Sequence, residues 1–307
     1  MAGAALVAPP AKDWRLFESG FGALDAFERG HIPGAGYIDT SELEGGPHWN
    51  KVTDRELERL LLGHGIRHDV TVVLYGRNPL AAARAAHLML YAGVADVRLL
   101  DGGFDAWGRA ALPLAAGHPR DYPKAVDFGA GFPGRPDYLV DMAQARQLQL
   151  QASGALVSIR TWNEFVGKTS GYSYIEARGD IPGARWVRSG ADGDVNSMSA
   201  FHDGGGAMLP FAAIARMWSA AGIDPGADSG QRMVFYCGTG WRASLAFFYA
   251  WLMNREHIGV FDGGWCEWSR DPANPVVCRV EDSLRPCFEN GTVLACRHQL
   301  IQNASLP

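Results

Sequence analysis

A cysteine, a glycine-rich loop and an arginine follow a short apolar run in the stretch Met233–Ser244, whose sequence is Met-Val-Phe-Tyr-Cys-Gly-Thr-Gly-Trp-Arg-Ala-Ser. The β-branched and aromatic residues before Cys237 predict a buried strand, and the apolar run Arg242–Met253 predicts a buried helix. Gly238 and Gly240 permit backbone angles that are closed to other residues, so consecutive N–H groups can converge on one point and bind an anion. We expect that point to be the sulfur of Cys237.

The surroundings predicted for Cys237 favour the reactive form of a thiol. The helix would direct its positive N-terminal end at the sulfur, and Arg242 would lie close to it. These features stabilise a thiolate, which is the nucleophilic form of cysteine. The alternative is a small apolar cysteine at a strand end, the commoner role of a lone cysteine. The glycine loop favours the nucleophile.

The spacing between the cysteine and the arginine distinguishes two kinds of cysteine chemistry. Four residues, 238 to 241, separate Cys237 from Arg242. The loop of a cysteine phosphatase is one residue longer and wraps a tetrahedral phosphate. The shorter loop suits a single extra sulfur atom, so the sequence favours sulfur transfer over phosphate hydrolysis.

Three motifs of the C-terminal half together resemble those of the rhodanese superfamily of sulfurtransferases. The loop Cys237–Ala243 matches the pattern C-x-x-G-x-R-[SA]. Upstream, Arg178–Ala184 is similar to the G-H-I-P-G-A turn of that family, and downstream Asp262–Trp265 followed by Trp268 matches D-G-G-W-x-x-W. Three motifs in the same order form a specific signal.

The same motifs occur once earlier in the chain. Arg29–Ala35, Val72–Tyr75 and Asp101–Phe104 precede their counterparts by 149, 162 and 161 residues. Two copies of one domain explain these offsets, with a length change between the first and second motifs. Tyr75 takes the place of Cys237 in this alignment, so the first copy has no thiol that could form a persulfide.

Short apolar strands alternate with amphipathic helices, which predicts an α/β fold. In the first copy we expect helices at 54–62 and 80–91 and strands at 71–75 and 96–100. The resemblance implies two tandem rhodanese-like domains, each a parallel sheet flanked by helices. We assign them as an inactive domain at 1–111, a linker rich in proline and glycine at 112–137, a catalytic domain at 138–276 and a C-terminal tail of unassigned role at 277–307.

The resemblance implies a double displacement in which Cys237 takes a sulfur atom from an anionic donor and holds it as a persulfide. It implies catalytic roles for Cys237 and Arg242. The substrate-binding residues that it implies are Gly238, Thr239, Gly240, Trp241 and Arg160. The reaction needs no metal and no organic cofactor.

Three positions depart from the family pattern. Ser158 replaces the acid of the D-x-R motif that ends with Arg160. Glu164 stands where tandem enzymes carry a second arginine, and an unneutralised carboxylate there would repel an anionic donor. Trp241 is bulkier than the usual valine, and it either covers the persulfide or packs on the other copy.

The departures leave more than one donor open. The first expectation is thiosulfate, with cyanide or a thiol as the acceptor. The alternatives are 3-mercaptopyruvate as the donor, or a persulfide carrier that receives sulfur from a partner protein in a relay.

Composition excludes several classes of partner. The 307 residues are 47% hydrophobic and 20% charged, and the net charge of −5 offers no basic surface to nucleic acid. No stretch is long and apolar enough to span a membrane, and the N-terminus lacks a basic leader region. We expect a cytoplasmic protein, or a periplasmic one if a leader precedes this sequence.

The cysteines support the same expectation. Their number is odd and none lies in the first 236 residues, which argues against a disulfide framework and for a reducing compartment. Their spacing is not that of zinc ligands. They are Cys237, Cys266, Cys278, Cys287 and Cys296.

Overall fold

The computed structural model describes residues 12–279 except 23, 152–154, 225 and 227–229. The strands of the first copy are β1 (Trp14–Gly20), β2 (Gly36–Asp39), β3 (Glu44–Gly45), β4 (Asn50–Lys51), β5 (Thr71–Tyr75) and β6 (Asp96–Leu99). Those of the second copy are β7 (Leu139–Val140), β8 (Leu156–Ser158), β9 (Arg185–Trp186), β10 (Met233–Tyr236) and β11 (Ile258–Phe261).

Helices follow most of these strands. Those of the first copy are α1 (Asp25–Arg29), α2 (Asp54–Gly63), α3 (Pro79–Ala92) and α4 (Gly103–Arg109). Those of the second copy are α5 (Met142–Leu150), α6 (Trp162–Phe165), α7 (Phe211–Ala220), α8 (Trp241–Leu252) and α9 (Gly264–Arg270). Short 3-10 turns lie at Thr40–Glu42, Pro136–Tyr138 and Ser199–Phe201. The helices and strands expected from the sequence are confirmed to within two residues at each end.

Each copy is built on a parallel sheet. The strand order is β2-β1-β5-β6 in the first copy and β7-β11-β10-β8-β9 in the second. All pairs in both sheets are parallel, while β3 and β4 form a small antiparallel hairpin. The predicted α/β class with parallel sheets flanked by helices is therefore confirmed.

The strand register shows which residues of the two copies correspond. Tyr75 pairs with Glu18 in the first sheet, and Tyr236 pairs with Ser158 in the second. Because β1 and β8 hold the same place in the two sheets, Tyr75 corresponds to Tyr236.

The first-copy counterpart of Cys237 is therefore Gly76 and not Tyr75, which corrects the sequence alignment by one residue. The Gly76 carbonyl accepts from Phe104 N–H at 3.3 Å, as the Cys237 carbonyl accepts from Trp265 N–H at 2.8 Å. The error arose because a continuous apolar strand carries no alternation that fixes its register. The conclusion that the first copy lacks a thiol is unchanged.

The two copies share one hydrophobic core. Helix α3 packs along α8, and both follow the central strand of their own sheet. All six alanines of α3 are buried, each at most 3% exposed, and such small side chains let the helix backbones approach closely. The cluster of buried residues continues from Leu74 and Leu88 to Phe235 and Phe247. Because α8 begins at the end of the Cys237 loop, this packing places the first copy next to that loop.

The segment 110–135 between α4 and the turn at Pro136–Tyr138 has no helix or strand. It is held to the first copy by buried aromatic side chains. The Tyr122 hydroxyl accepts from Leu16 N–H and donates to the Gly34 carbonyl, both at 3.0 Å. The connection thus follows the surface as a packed segment.

Candidate active site

Cys237 lies directly after β10, at the carboxyl end of the central strand of its sheet. Its side chain is 1% exposed. The chain then turns through Gly238 and Thr239 to Gly240, which has φ = 96° and precedes the first residue of α8. Only glycine takes this left-handed conformation at low cost, so Gly240 allows the helix to begin one turn from the sulfur.

The segment of the D-G-G-W turn is hydrogen-bonded to the backbone of this loop. Its N–H groups at Trp265 and Cys266 donate to the carbonyls of Cys237 and Gly238 at 2.8 and 2.9 Å. A side chain at Gly264 would place a Cβ 2.6 Å from the Cys237 carbonyl oxygen, so only glycine permits this approach. The carbonyls of the loop are thereby turned to the protein.

The backbone N–H groups of the loop, unlike its carbonyls, are free to donate hydrogen bonds to a bound group. Among the described residues, none accepts a hydrogen bond from the N–H of Gly238, Thr239 or Gly240. Buried N–H groups without an acceptor are rare, and a row of them beside a helix N-terminus binds an anion. This arrangement suits the negative charge of a thiolate or a persulfide.

Arg242 and Glu164 form a buried ion pair beside the loop. Both side chains are fully buried, and the two guanidinium Nη atoms donate to the two carboxylate oxygens at 2.9 Å each. Burial alone would raise the pKa of Glu164, but the charge and hydrogen bonds of Arg242 hold it at about 2. Glu164 is thus an anion whose charge is compensated. Arg242 Nε has no hydrogen-bond partner in the described part of the chain.

Arg160 lies behind this pair and is also fully buried. Its Nη1 donates to the Gly179 carbonyl at 2.6 Å and to Asp180 at 3.0 Å, and its Nε lies 3.4 Å from Glu164. Its guanidinium lies 4.8 Å from the ring centre of Trp265. The structure therefore surrounds this predicted binding residue with protein partners.

Asp180 supplies the carboxylate that Ser158 lacks. Ser158 Oγ donates to Asp180 at 3.0 Å, and the Tyr236 hydroxyl donates to the other oxygen of the same carboxylate. In the first copy the equivalent positions are Glu18 and His31, so the acid has changed places between the two motifs. The Asp in Arg-Gly-Asp-Ile-Pro-Gly-Ala was the sequence signal for this exchange.

Trp241 packs on the first copy. Its indole N–H donates to the Glu44 carboxylate, and its ring centre lies 6.3 Å from that of Phe21. Of the two alternatives left open by the sequence, the packing against the other copy is the one seen.

Two tyrosines cover the loop and were missed by the sequence reasoning. The Tyr172 ring lies against Gly238, where an added Cβ would stand 2.1 Å from a ring carbon. The Arg242 guanidinium lies 5.6 Å from the centre of that ring. Burial raises the pKa of Tyr174, and the charge of a Cys237 thiolate raises it further. Both tyrosines lie in an irregular segment outside every motif, so no pattern pointed to them.

A comparison with known protein families identifies the same two copies. The sequence profile described as "Rhodanese-like domain" matches residues 14–110 and again residues 136–271. The chain belongs to the rhodanese-like family. The two matches confirm the tandem repeat predicted from the motifs.

Several rhodanese-like relatives cover most of this chain. It is 51% identical over 274 residues to "Thiosulfate sulfurtransferase YnjE" of Escherichia coli, covering 89% of this chain and 62% of that protein. The crystal structure of YnjE has a TM-score of 0.84 and covers 89% of this chain and 64% of that chain. This sequence therefore spans less than two thirds of that relative.

Two further relatives differ in their descriptions. "Putative thiosulfate sulfurtransferase SseB" of Mycobacterium tuberculosis is 31% identical over 277 residues, which are 86% of this chain and 88% of that protein. An anaerobic ergothioneine biosynthesis enzyme from Chlorobium limicola, in complex with trimethyl histidine, has a TM-score of 0.80 at 38% identity, covering 87% of this chain and 65% of that chain.

Two other cysteines of this rhodanese-like chain lie among the described residues, Cys266 and Cys278. Cys266 is a free thiol with no exposed surface, and burial raises its pKa. Cys278 is disulfide-bonded, which differs from the expectation of a chain without disulfides. Cys287 and Cys296 lie outside the described residues.

Residues 12–279, apart from the gaps named above, contain neither a metal-binding cluster nor a membrane span. No cluster of three or more His, Cys, Asp or Glu side chains in the described ranges is arranged to hold a metal ion. Likewise, no helix of the described part of the chain is long and apolar enough to cross a bilayer.

Proposed function

We propose that this protein is a thiosulfate sulfurtransferase that moves a sulfur atom to cyanide or a thiol through a persulfide on Cys237. The observation that carries this proposal is the loop itself. A cysteine at the end of the central strand is followed by three N–H groups that have no acceptor among the described residues. A helix N-terminus adds its positive end to the same place.

In the first step, the Cys237 thiolate attacks the outer sulfur of thiosulfate. The new S–S bond forms as the bond to sulfite breaks, and sulfite leaves with the bonding electron pair. In the second step, an acceptor such as cyanide attacks the outer sulfur of the persulfide, which releases thiocyanate and restores the thiolate. No oxidant or reductant is needed.

The loop stabilises the charge that remains on the protein between these steps. The N–H groups of Gly238, Thr239 and Gly240 are fixed in place before the reaction, so they need no reorganisation to stabilise the persulfide anion. Arg242 adds a positive charge whose long-range effect Glu164 reduces. Arg160 acts through Glu164, because its own donors are occupied by protein groups.

A persulfide carrier is the second candidate, and the buried ion pair favours it. Because the charge of Glu164 compensates that of Arg242, the Cys237 loop attracts a free dianion less than it would beside an unpaired arginine. Some relatives are named as sulfur carriers and others as sulfurtransferases. They include "Sulfur carrier protein TtuD" of Thermus thermophilus at 28% identity and a "Probable 3-mercaptopyruvate sulfurtransferase" of Pseudomonas aeruginosa at 32%.

The test is cyanide-dependent thiocyanate formation from thiosulfate. The wild-type protein should form thiocyanate catalytically and Cys237→Ser should not, because serine cannot hold a sulfane sulfur. Cys266→Ala is the matched control, since it removes the neighbouring thiol, and it should keep activity. Residual activity in Cys237→Ser would refute the site. A wild-type protein that is inactive with thiosulfate and 3-mercaptopyruvate but accepts sulfur from a cysteine desulfurase would establish the carrier.

A further inference from the structure

Arg270, the last residue of α9, connects the two copies beside the Cys237 loop. Its Nη1 donates to the Pro47 carbonyl at 2.5 Å, in the turn between β3 and β4 of the first copy. Its Nη2 donates to the Tyr174 carbonyl of the second copy at 3.4 Å. The imidazole Nδ1 of His48 lies 3.4 Å from Nη1. The guanidinium therefore bridges the two copies while its side chain stays exposed to solvent.

The charge of Arg270 is not offset by an ion pair, unlike the charges of the arginines packed around the loop. No Asp or Glu oxygen of the described residues lies within 4.0 Å of the Arg270 guanidinium. The buried arginines around the loop are each paired with at least one carboxylate, and they are Arg84, Arg160 and Arg242. Arg270 therefore offers solvent a full positive charge at this site.

Two contacts place Arg270 close to the loop. Tyr174, whose carbonyl it binds, has a hydroxyl that is hydrogen-bonded by the Thr239 side chain. Cys266, one helical turn before Arg270, donates its N–H to the Gly238 carbonyl at 2.9 Å. Burial raises the pKa of the Cys266 thiol, and the charge of Arg270 opposes that rise. The guanidinium thus lies roughly one tyrosine length from the loop, comparable with the Debye length of about 8 Å at physiological ionic strength.

Glu267 is the acidic residue of α9, and other groups hold its carboxylate. A Cβ at Gly263 would stand 2.1 Å from Glu267 Oε2, so this side chain folds back on the start of the D-G-G-W turn. Burial raises the pKa of Glu267, while a hydrogen bond from Asn50 and the charge of His48 oppose that rise. Glu267 therefore interacts with the turn and with the first copy, and it leaves the Arg270 guanidinium unpaired.

An exposed cation beside a buried nucleophile favours anions among the molecules that approach it. It raises their local concentration and the rate at which they arrive. Within the site, the charge of Glu164 offsets that of Arg242, so Arg242 attracts a dianion only weakly over distance. Arg270 has no such partner and faces solvent, so its attraction extends to molecules that have not yet entered.

We propose that Arg270 attracts the anionic sulfur donor to Cys237 and thereby selects negatively charged donors over neutral ones. It acts on the arrival and binding of the donor and not on the bonds that form and break. It is therefore a specificity-determining residue and not a catalytic one. That the donor is thiosulfate rests on the proposed function, whereas the preference for anions does not.

The repeat supplies a matched control residue. Arg109 precedes Arg270 by 161 residues, the offset between the two D-G-G motifs, and it ends α4 as Arg270 ends α9. It is exposed, and it also donates to a backbone carbonyl of the other copy, that of Gly205. The two arginines make the same kind of contact between the copies, but Arg270 makes it beside the Cys237 loop.

The test compares the alkylation of Cys237 by iodoacetate, an anion, and by iodoacetamide, its neutral analogue of nearly the same size. The ratio of the two rates reports the electrostatic potential at the sulfur, because changes in thiol reactivity cancel. Arg270→Gln should lower this ratio about threefold, the effect of one charge about 8 Å away in largely aqueous surroundings. Arg270→Lys keeps the charge without the planar fork and should retain the wild-type ratio, as should Arg109→Gln. High salt should lower the wild-type ratio towards that of Arg270→Gln.

Thiosulfate kinetics on the same variants give the second readout. Arg270→Gln should raise the KM about threefold and change kcat by less than about twofold, because the charge acts before the chemical steps. An unchanged alkylation ratio or an unchanged KM in this variant would overturn the proposal. An equal fall of the ratio in Arg270→Lys or in Arg109→Gln would also overturn it, since the contact and not the charge would then matter. A wild-type protein that is inactive with thiosulfate, but whose alkylation ratio still depends on Arg270, would refute the proposed function and leave this inference standing.

Discussion

Glu164 shows how the repulsion expected from a buried carboxylate is removed by one neighbour. The sequence predicted that an unneutralised carboxylate here would repel an anionic donor, and in the structure Glu164 forms a two-pronged ion pair with Arg242 at 2.9 Å. Residue types alone identified Cys237 and the glycines as a nucleophile and its loop. They did not identify the partners of Asp180 or the place of Tyr172, because those contacts join segments that no local pattern connects.

The pH dependence of stability follows from this ion pair. The pKa of Glu164 in the folded protein is about 2, below its ordinary value of 4.5. The stabilisation is therefore complete above about pH 4.5 and is lost as the pH falls towards 2. It amounts to about 3 kcal/mol in free energy of unfolding. Urea unfolding of Glu164→Gln should show a smaller fall between about pH 5 and pH 3 than the wild-type protein does, and an equal fall would contradict the assignment.

The role of Arg242 is tested by removing both partners. Arg242→Met alone should destabilise the fold by about 3–5 kcal/mol, because it leaves Glu164 buried and unpaired. The double variant Arg242→Met with Glu164→Leu should recover most of that loss. If Arg242 binds the donor, the double variant should still have a raised KM for thiosulfate. A KM that returns to the wild-type value would reduce Arg242 to a residue that only shapes the loop.

At the scale of elements, the site consists of β10, the Cys237 loop and α8, and the D-G-G-W turn is hydrogen-bonded to the loop. The positions of β10 and α8 were predicted from apolar runs and glycines. The register between the copies was misplaced by one residue, because β5 and β10 are apolar without alternation. The hydrogen bonds from the D-G-G-W turn to Cys237 and Gly238 could not be predicted, since they depend on how β11 lies beside β10.

Gly240 tests whether this loop geometry controls the thiol. In Gly240→Ala the new Cβ would stand 3.1 Å from the Asp262 carbonyl and 3.2 Å from Arg84 Nη1, at a φ of 96°. We expect iodoacetamide alkylation of Cys237 to slow at least tenfold. Gly206→Ala is the control, because its φ is 79° and nothing lies within 4 Å. Both variants should lose about 1–2 kcal/mol from backbone strain. Equal alkylation rates would show that the loop tolerates the change.

At the scale of the whole molecule, the first copy is joined by buried ion pairs to the segments that hold the Cys237 loop. Arg84 of α3 is fully buried and joins Glu44, which holds Trp241, to Asp262, which begins the D-G-G-W turn. The internal repeat predicted two copies, and the family match confirms them. The contacts between the copies could not be predicted, because each motif describes one copy and none describes their packing.

Arg84→Met should therefore damage a site in the other copy. It leaves two buried carboxylates without their cation, so we expect the free energy of unfolding to fall by about 3–5 kcal/mol. Alkylation of Cys237 should change as well, under conditions where the variant is still folded. Arg109→Met is the control, since Arg109 also reaches the second copy through the Gly205 carbonyl but is exposed and away from the loop. An Arg84 variant with the thiol reactivity of the control would contradict this coupling.

The central claim is that Cys237 carries a sulfur atom between donor and acceptor. Intact-protein mass spectrometry after incubation with thiosulfate tests it most directly, with cyanide added afterwards. We predict one added sulfur, located at Cys237 by peptide mapping, removed by cyanide and absent from Cys237→Ser. Sulfur that appears on another cysteine, or that persists in Cys237→Ser, would contradict the account.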